Sequence, residues 1–271
     1  MNTAPPFGVE EVLAAAATEP AQDLAGCVSV IIPVYNEIDC LEALLELVRR
    51  SPVEKEIIIV DDGSTDGTRD RLRALRPAEH LTVLFHAGNQ GKGAATRTGL
   101  RYARGEYVLI QDSDLECDPQ DYPALLQPLR DRRSNVVYGV RPDRPDRGLH
   151  LFLGVKFLTA LANLLYGCGI HDEAACYKAF RRSVLRRINL QCRGFEFCPE
   201  VTAKLGRMGE KIVEVPIAYY PRPAEDGKKI RWTDGVIAIW TLLRYRFQSR
   251  RRMAKMSPED FPVIKAADLD R

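Results

Sequence analysis

The chain has 271 residues, 45% hydrophobic and 28% charged, with 39 Lys and Arg set against 37 Asp and Glu. That fits one medium-sized globular domain with appendages and a sizeable core, and no nucleic-acid partner is expected from so even a balance. Seven cysteines (27, 40, 117, 168, 176, 192 and 198) form no CxxC pair and leave an odd one over. They argue against a disulfide framework or a zinc ribbon, and for plain thiols in a reducing compartment.

Residues 1–26 mix Pro, Gly, acids and an Ala run, and read as a short helix or a loose arm. No basic stretch followed by an apolar one marks an export signal, so a cytoplasmic location is expected. Val28-Ser29-Val30-Ile31-Ile32-Pro33 is a β-branched run of the kind buried in a parallel sheet. A helix follows, with Leu41, Leu44, Leu45 and Val48 on one face. Glu56 to Val60 is the next strand, ending in Asp61-Asp62-Gly63-Ser64. Residues 68–75 read as a helix capped by Ser64, Thr65 or Asp66, 81–85 as a strand and 93–103 as a helix. Tyr107 to Ile110 is a further strand that runs into Gln111-Asp112-Ser113-Asp114. This alternation predicts an α/β fold with an open, mostly parallel sheet covered by helices on both faces. In such sheets ligands bind at the carboxyl ends of the strands.

Past Tyr138 the pattern changes. Arg141, Arg144 and Arg147 alternate with Asp143 and Asp146 ahead of an apolar segment, 151–170. Lys156 and Asn163 interrupt that segment, which reads as a buried or membrane-surface helix rather than a span. Residues 175–180 suggest a strand and 199–208 a helix. Residues 211–219 form a strand whose Pro216 suggests a sheet edge, and 232–247 form an amphipathic helix.

Three strand ends carry the chemistry. Asp112 and Asp114, with Ser113 between them, supply hard oxygens suited to Mg²⁺ or Mn²⁺, and Glu116 offers a third. Asp61 and Asp62 are either a turn with a helix cap or a carboxylate pair that meets a nucleobase, since adjacent buried acids are costly without a donor or cation. Gly91-Lys92-Gly93 opens a helix, which makes Lys92 and Arg97 diphosphate neighbours. The motif is no P-loop. An arginine of the 141–147 group can hold a phosphate beside the apolar helix. The six basic residues between 244 and 255 are either a solvated tail or a surface for anionic lipid. His171, Cys192 and Cys198 lack metal-ligand spacing.

Val28 to Glu37, Val60-Asp-Asp-Gly-Ser-Thr-Asp-Gly-Thr68 and Gln111-Asp-Ser-Asp-Leu-Glu116 together resemble inverting glycosyltransferases of family 2, with the GT-A fold. Phe195-Glu-Phe197, Glu214-Val-Pro-Ile217 and Gly227-Lys-Lys-Ile230 narrow the likeness to the dolichyl/polyprenyl-phosphate sugar synthase branch. The resemblance implies a GT-A catalytic domain over 27–230 with a Rossmann-like sheet, an amphipathic helix at 231–247 and a charged tail at 248–271. It implies that Pro33, Val34, Tyr35 and Glu37 line the nucleobase and ribose pocket, and that Asp62 meets the base beside Asp61. Asp112, Asp114 and Glu116 then bind the metal and diphosphate, Arg141 the acceptor phosphate, and Glu196 lies near the acceptor. The implied reaction moves a hexose, mannose from GDP-mannose or glucose from UDP-glucose, onto a polyprenyl phosphate at the inner face of the cytoplasmic membrane. The rivals are a family 2 enzyme with a soluble sugar or protein acceptor, and a non-catalytic nucleotide-sugar-binding protein. Two departures stand out. Many branch members carry transmembrane helices after the catalytic domain where this sequence has none, and Ala174 and Ala175 stand where Thr and Glu are usual.

Overall fold

The computed structural model describes residues 9–14, 23–76, 78–142, 149–222 and 232–248. The strands are β1 (Val9–Ala14), β2 (Leu24–Val34), β3 (Lys55–Asp61), β4 (Leu81–His86), β5 (Gly105–Ile110), β6 (Val136–Val140), β7 (Lys178–Arg181) and β8 (Ile212–Pro216). They form one sheet in the order β1-β4-β3-β2-β5-β7-β6-β8. Its centre is parallel, β4 to β3 to β2 to β5. Strands β1 and β7 run antiparallel to their neighbours, and β8 returns parallel to β6.

The helices are α1 (Ile38–Arg50), α2 (Thr68–Arg73), α3 (Lys92–Tyr102), α4 (Tyr122–Arg130), α5 (Leu149–Tyr166), α6 (Arg182–Leu185), α7 (Phe197–Arg207) and α8 (Trp232–Phe247). Alternation along the strands splits the core in two. Val28, Val30, Ile32 and Val34 of β2 pack with Leu41, Leu44, Leu45 and Val48 of α1 and with Leu125 and Leu129 of α4. Ile31, Ile58 and Val60 point to the other face, where α3, α6, α7 and α8 supply Ala95, Leu185, Val201 and Leu242. Both sheet faces are therefore covered, which is why the central strands read as unbroken apolar runs.

Two expectations change. The segment expected as a helix or loose arm carries β1, which pairs with β4 at the sheet margin. The N-cap of α2 is Gly67, at φ 98°, rather than Ser64, Thr65 or Asp66. Of those three residues, Asp66 still accepts from Thr68 N, and Ser64 Oγ accepts from Asn36 N. Cys117 and Cys176 approach each other with their Cα atoms 7.7 Å apart, farther than a disulfide spans, and the other five cysteines are free. Pro216 does fall on an edge strand, as its missing N–H requires.

Candidate active site

The ends of β2, β3 and β5 meet at one edge of the sheet, with Val34 opposite Asp61 and Ile31 opposite Ile110. After β5 the chain turns on Gln111, which is fully buried and accepts hydrogen bonds from Tyr122 Oη (2.6 Å) and Tyr177 Oη (2.7 Å). This clamp fixes the point from which Asp112 projects. Lys92, the first residue of α3, reaches across to it, with Nζ 2.7 Å from Oδ2 and 2.6 Å from Oδ1. Burial works against the Lys92 charge, but Asp112 overcomes it and raises the ammonium pKa. The Lys92 ammonium also lies 5.9 Å from the Phe195 ring centre.

Asp114 is the strained acid. Burial, then the charges of Asp112 and Glu116, push its carboxyl up to about 7. Leu115 adopts φ 60°, a left-handed turn uncommon for a branched side chain. The turn sends the next carboxylate a different way. Glu116 Oε2 accepts from Tyr219 Oη at 2.5 Å, and Oε1 from the Arg222 backbone N at 3.0 Å. The predicted ligand trio therefore does not converge, and no group of three ligating side chains gathers among the described residues. Asp112 and Asp114 nevertheless fit a divalent cation. Asp112 Oδ1 is buried without a well-aligned donor despite its closeness to Lys92, and hard oxygens are what Mg²⁺ and Mn²⁺ take.

Arg222, missed in the sequence, straps this cluster. Its Nε donates to the Asp114 carbonyl at 2.6 Å and its Nη2 to Glu37 Oε2 at 2.9 Å. Just past β6, Arg141 is held in a fork by Asp172, Nε to Oδ2 and Nη2 to Oδ1, each 2.7 Å, and stands over the Tyr219 ring. Burial opposes its charge, and Asp172 outweighs that and raises its pKa. His171, beside it, pairs with Glu214 at 2.6 Å. Arg144, Arg147 and the 227–229 segment lie outside the described residues.

Several predicted contacts turn inward instead. Asp62 is engaged within the protein: Oδ1 meets His86 Nδ1 (2.7 Å) and accepts from Gln90 N (2.9 Å), while Oδ2 accepts from Gly91 N (2.7 Å). Asp61 is fully buried on Arg69 Nε (2.7 Å) and Ser64 N (3.2 Å). Val34 packs in the core and Pro33 lies within β2, which leaves Tyr35, half-buried, at the crevice. The amides at the start of α3 are not offered to an anion either. Gly93 N donates to Gly194 O (3.1 Å) and Ala94 N to Arg193 O (2.9 Å). A Cβ on Gly91 or Gly93 would strike this same 193–194 backbone, so glycine is required for the close approach. Glu196 closes that loop rather than facing an acceptor, accepting from Arg193 N (2.7 Å) and Gly194 N (3.0 Å). Arg97, five positions beyond Lys92 and so on another side of α3, is tethered to the carbonyls of Gln191 and Cys192. Ser113 is buried between its two aspartates.

The architecture is that of GT-A glycosyltransferases. The glucosyl-3-phosphoglycerate synthase of Mycobacterium tuberculosis, crystallised with Mn²⁺, UDP and glucosyl-3-phosphoglycerate, shares the fold at a TM-score of 0.63. The match covers 80% of this chain and 79% of that one, at 23% identity. Residues 29–188 match glycosyl transferase family 2, and the chain belongs to that family; it is an enzyme that transfers a sugar. An undecaprenyl-phosphate mannosyltransferase of Micrococcus luteus is 32% identical over 241 residues, covering 80% of this chain and 97% of that protein. A polyprenol monophosphomannose synthase of Mycolicibacterium smegmatis is 34% identical over 231 residues, covering 78% and 85%.

Proposed function

We propose that the enzyme transfers a hexose with inversion from a nucleotide-diphospho-sugar, GDP-mannose or UDP-glucose, to a polyprenyl phosphate. The observation that carries this is the gathering of two charged clusters around Tyr219, whose hydroxyl donates to Glu116 and whose ring lies under Arg141. Asp112, Asp114 and Lys92 would face the donor, and Arg141, pinned by Asp172, the acceptor. The names of the Micrococcus and Mycolicibacterium relatives support the lipid acceptor.

Asp112 and Asp114 would hold Mg²⁺ or Mn²⁺, which neutralises charge on the diphosphate leaving group. The Mn²⁺ in the M. tuberculosis neighbour supports that choice. Lys92 then turns from Asp112 to the donor diphosphate. The Arg141 guanidinium, oriented by Asp172, holds the acceptor phosphate by paired hydrogen bonds. A phosphate oxygen is already an anionic nucleophile, so it attacks the anomeric carbon without a general base. Glu37 and Tyr35 would line the ribose side of the donor.

The lipid acceptor calls for a membrane surface, and α5 and α8 provide one. No described helix is long and apolar enough to cross a membrane. Instead Trp232, Val236, Trp240, Leu243 and Phe247 make an exposed stripe along one side of α8, while Ala238, Leu242 and Tyr245 are buried on the other. Helix α5 adds exposed Leu153, Phe157 and Leu164, and Tyr166 Oη donates to Leu242 O between the two helices. Arg244 and Arg246 begin the basic run, whose remainder lies outside the described residues. We propose reversible docking of this face on anionic lipid at the cytoplasmic side.

The test incubates purified protein with GDP-mannose or UDP-glucose, polyprenyl phosphate and Mn²⁺, with and without EDTA. A metal-dependent, β-linked lipid-phosphate sugar in the organic phase is expected. Sugar released only to water, or moved only to soluble phosphates, overturns the lipid acceptor.

A further inference from the structure

Arg97, expected beside the donor diphosphate, lines a different space, a cavity of about 200 Å³ between α3 and the loop before α7. Ala94, Arg97, Thr98 and Arg101 fall three or four positions apart and so share one side of α3. Gln191 and Arg193 close the cavity from the loop. Ala94 and Thr98 are buried and make its floor, whereas Gln191 and Arg193 are exposed at its rim. The two walls are fixed to each other. Arg97 Nη1 donates to the carbonyls of Gln191 (3.4 Å) and Cys192 (3.2 Å), and Ala94 N to that of Arg193 (2.9 Å). Behind the floor, Thr98 Oγ1 lies 2.9 Å from Nε2 of His86, the imidazole that meets Asp62.

The lining is of one sign. Three guanidiniums, the carboxamides of Gln90 and Gln191 and the Thr98 hydroxyl face the space, with no Asp or Glu among the described residues that line it. Like charges around one cleft focus a field that draws in an anion. The planar guanidinium fork matches phosphate oxygens in pairs. The volume lies below the ~300–1,000 Å³ of pockets for drug-sized ligands, which suits a phosphate or diphosphate group rather than a whole nucleotide-sugar. Neither Lys92 nor any of residues 112–116 takes part.

We propose that this cavity is a second anion site, for a phosphate or diphosphate group, separate from Asp112, Asp114 and Lys92. It needs no metal, because its lining supplies cations where the donor side supplies carboxylates that repel phosphate. The bound anion bridges Arg97 and Arg101 of α3 to Arg193 of the loop. Inorganic phosphate, pyrophosphate and the phosphates of a nucleotide share this chemistry.

The experiment titrates the full chain with inorganic phosphate, pyrophosphate or GDP by calorimetry, in EDTA and about 0.15 M salt. Amide exchange is followed with each. At least one of the three is expected to bind, one per chain, and to slow exchange over 94–101 and 191–194; the tightest identifies the source. Arg101→Gln and Arg193→Gln should each weaken that binding at least about tenfold. Arg133→Gln, an exposed arginine outside the cavity, should leave it unchanged. The Arg193 side chain is exposed, so its variant keeps the fold, which circular dichroism checks. No binding without metal overturns the site. So does an equal loss in Arg133→Gln, or slowed exchange over 90–92 and 112–116 with none over 94–101. GDP titrated with Mn²⁺ reads the donor site separately, and its failure there leaves the cavity standing.

Discussion

The half of the chain built on β2 to β5 and the half that follows β6 treat charge alike and differ in the apolar groups they leave outside. Both draw charges inside and match them: Asp61 with Arg69, Asp62 with His86 and two amides, Lys92 with Asp112 and Glu56 with Arg104 in the first, Asp172 with Arg141 and Glu200 with Lys204 in the second. In the second, α8 turns a Trp and Phe stripe outward, with Trp240 at 64% and Phe247 at 83% exposure. Buried charges cost stability unless each is satisfied, and exposed aromatics cost solubility unless something covers them. The difference therefore lies in α8, whose exposed stripe needs an apolar cover that the first half does not need.

The sharpest way to break this division is at Asp114. Asp114→Asn is expected to lower sugar transfer at least about a hundredfold and to abolish the EDTA-sensitive part of GDP or UDP binding. Circular dichroism should be unchanged. Equal affinity with and without EDTA in the wild type would remove the metal from the donor half.

Next comes Asp62. Because its oxygens hold the Gln90 and Gly91 amides, Asp62→Ala leaves buried donors unsatisfied, at about 2–3 kcal/mol. The 90–92 loop should loosen, weakening intact nucleotide and pyrophosphate together. A loss confined to the intact nucleotide would return Asp62 to the base.

The second half is tested by Trp240→Ser with Phe247→Ser. Each exposed side chain contributes up to about 1.5–3 kcal/mol when covered by apolar groups, so the double variant should bind anionic liposomes at least about tenfold more weakly. Flotation reads this directly. Thermal stability and donor binding should not move, since neither side chain packs in the core.

The smallest effect lies inside the second half. Glu173 is fully buried, one oxygen has no donor, and burial raises its carboxyl to about 7 from an ordinary 4.5. A raised folded value means the protonated form is favoured in the fold. That stability is complete below about pH 4.5 and is lost as pH rises through about 7. Glu173→Gln should raise the unfolding midpoint at pH 8 by about 2–4 °C and flatten its slope between pH 5 and 7. An unchanged slope would mean Glu173 is charged in the fold.

The first half was legible in outline because its signals are local. A β-branched run, a polar strand end and a 3-4 spaced leucine face all lie within a dozen residues, and α1 buries the four apolar residues its spacing picks out. The family resemblance rested on the same stretches. What escaped was set by distant partners. Nothing near Asp62 announces the amides 28 and 29 positions away, nor does Glu116 announce Tyr219, 103 positions on. The amide donors at the start of α3 look free until the carbonyls of Arg193 and Gly194 close on them. Strand β1 hid in an alanine-bearing stretch with no strand-like alternation.

That outer strand has a consequence for how the molecule lives in company. β1 lies antiparallel on β4, and at the far margin β8 carries Pro216. An uncovered β4 would offer a ladder of idle amides and carbonyls to any passing chain. With β1 in place that ladder is taken up on one side of β4, and at the other margin Pro216 withholds one donor from β8. Trimming residues 9–14 would remove one guard, and the product to look for is a fibre or a swapped pair rather than an inactive monomer.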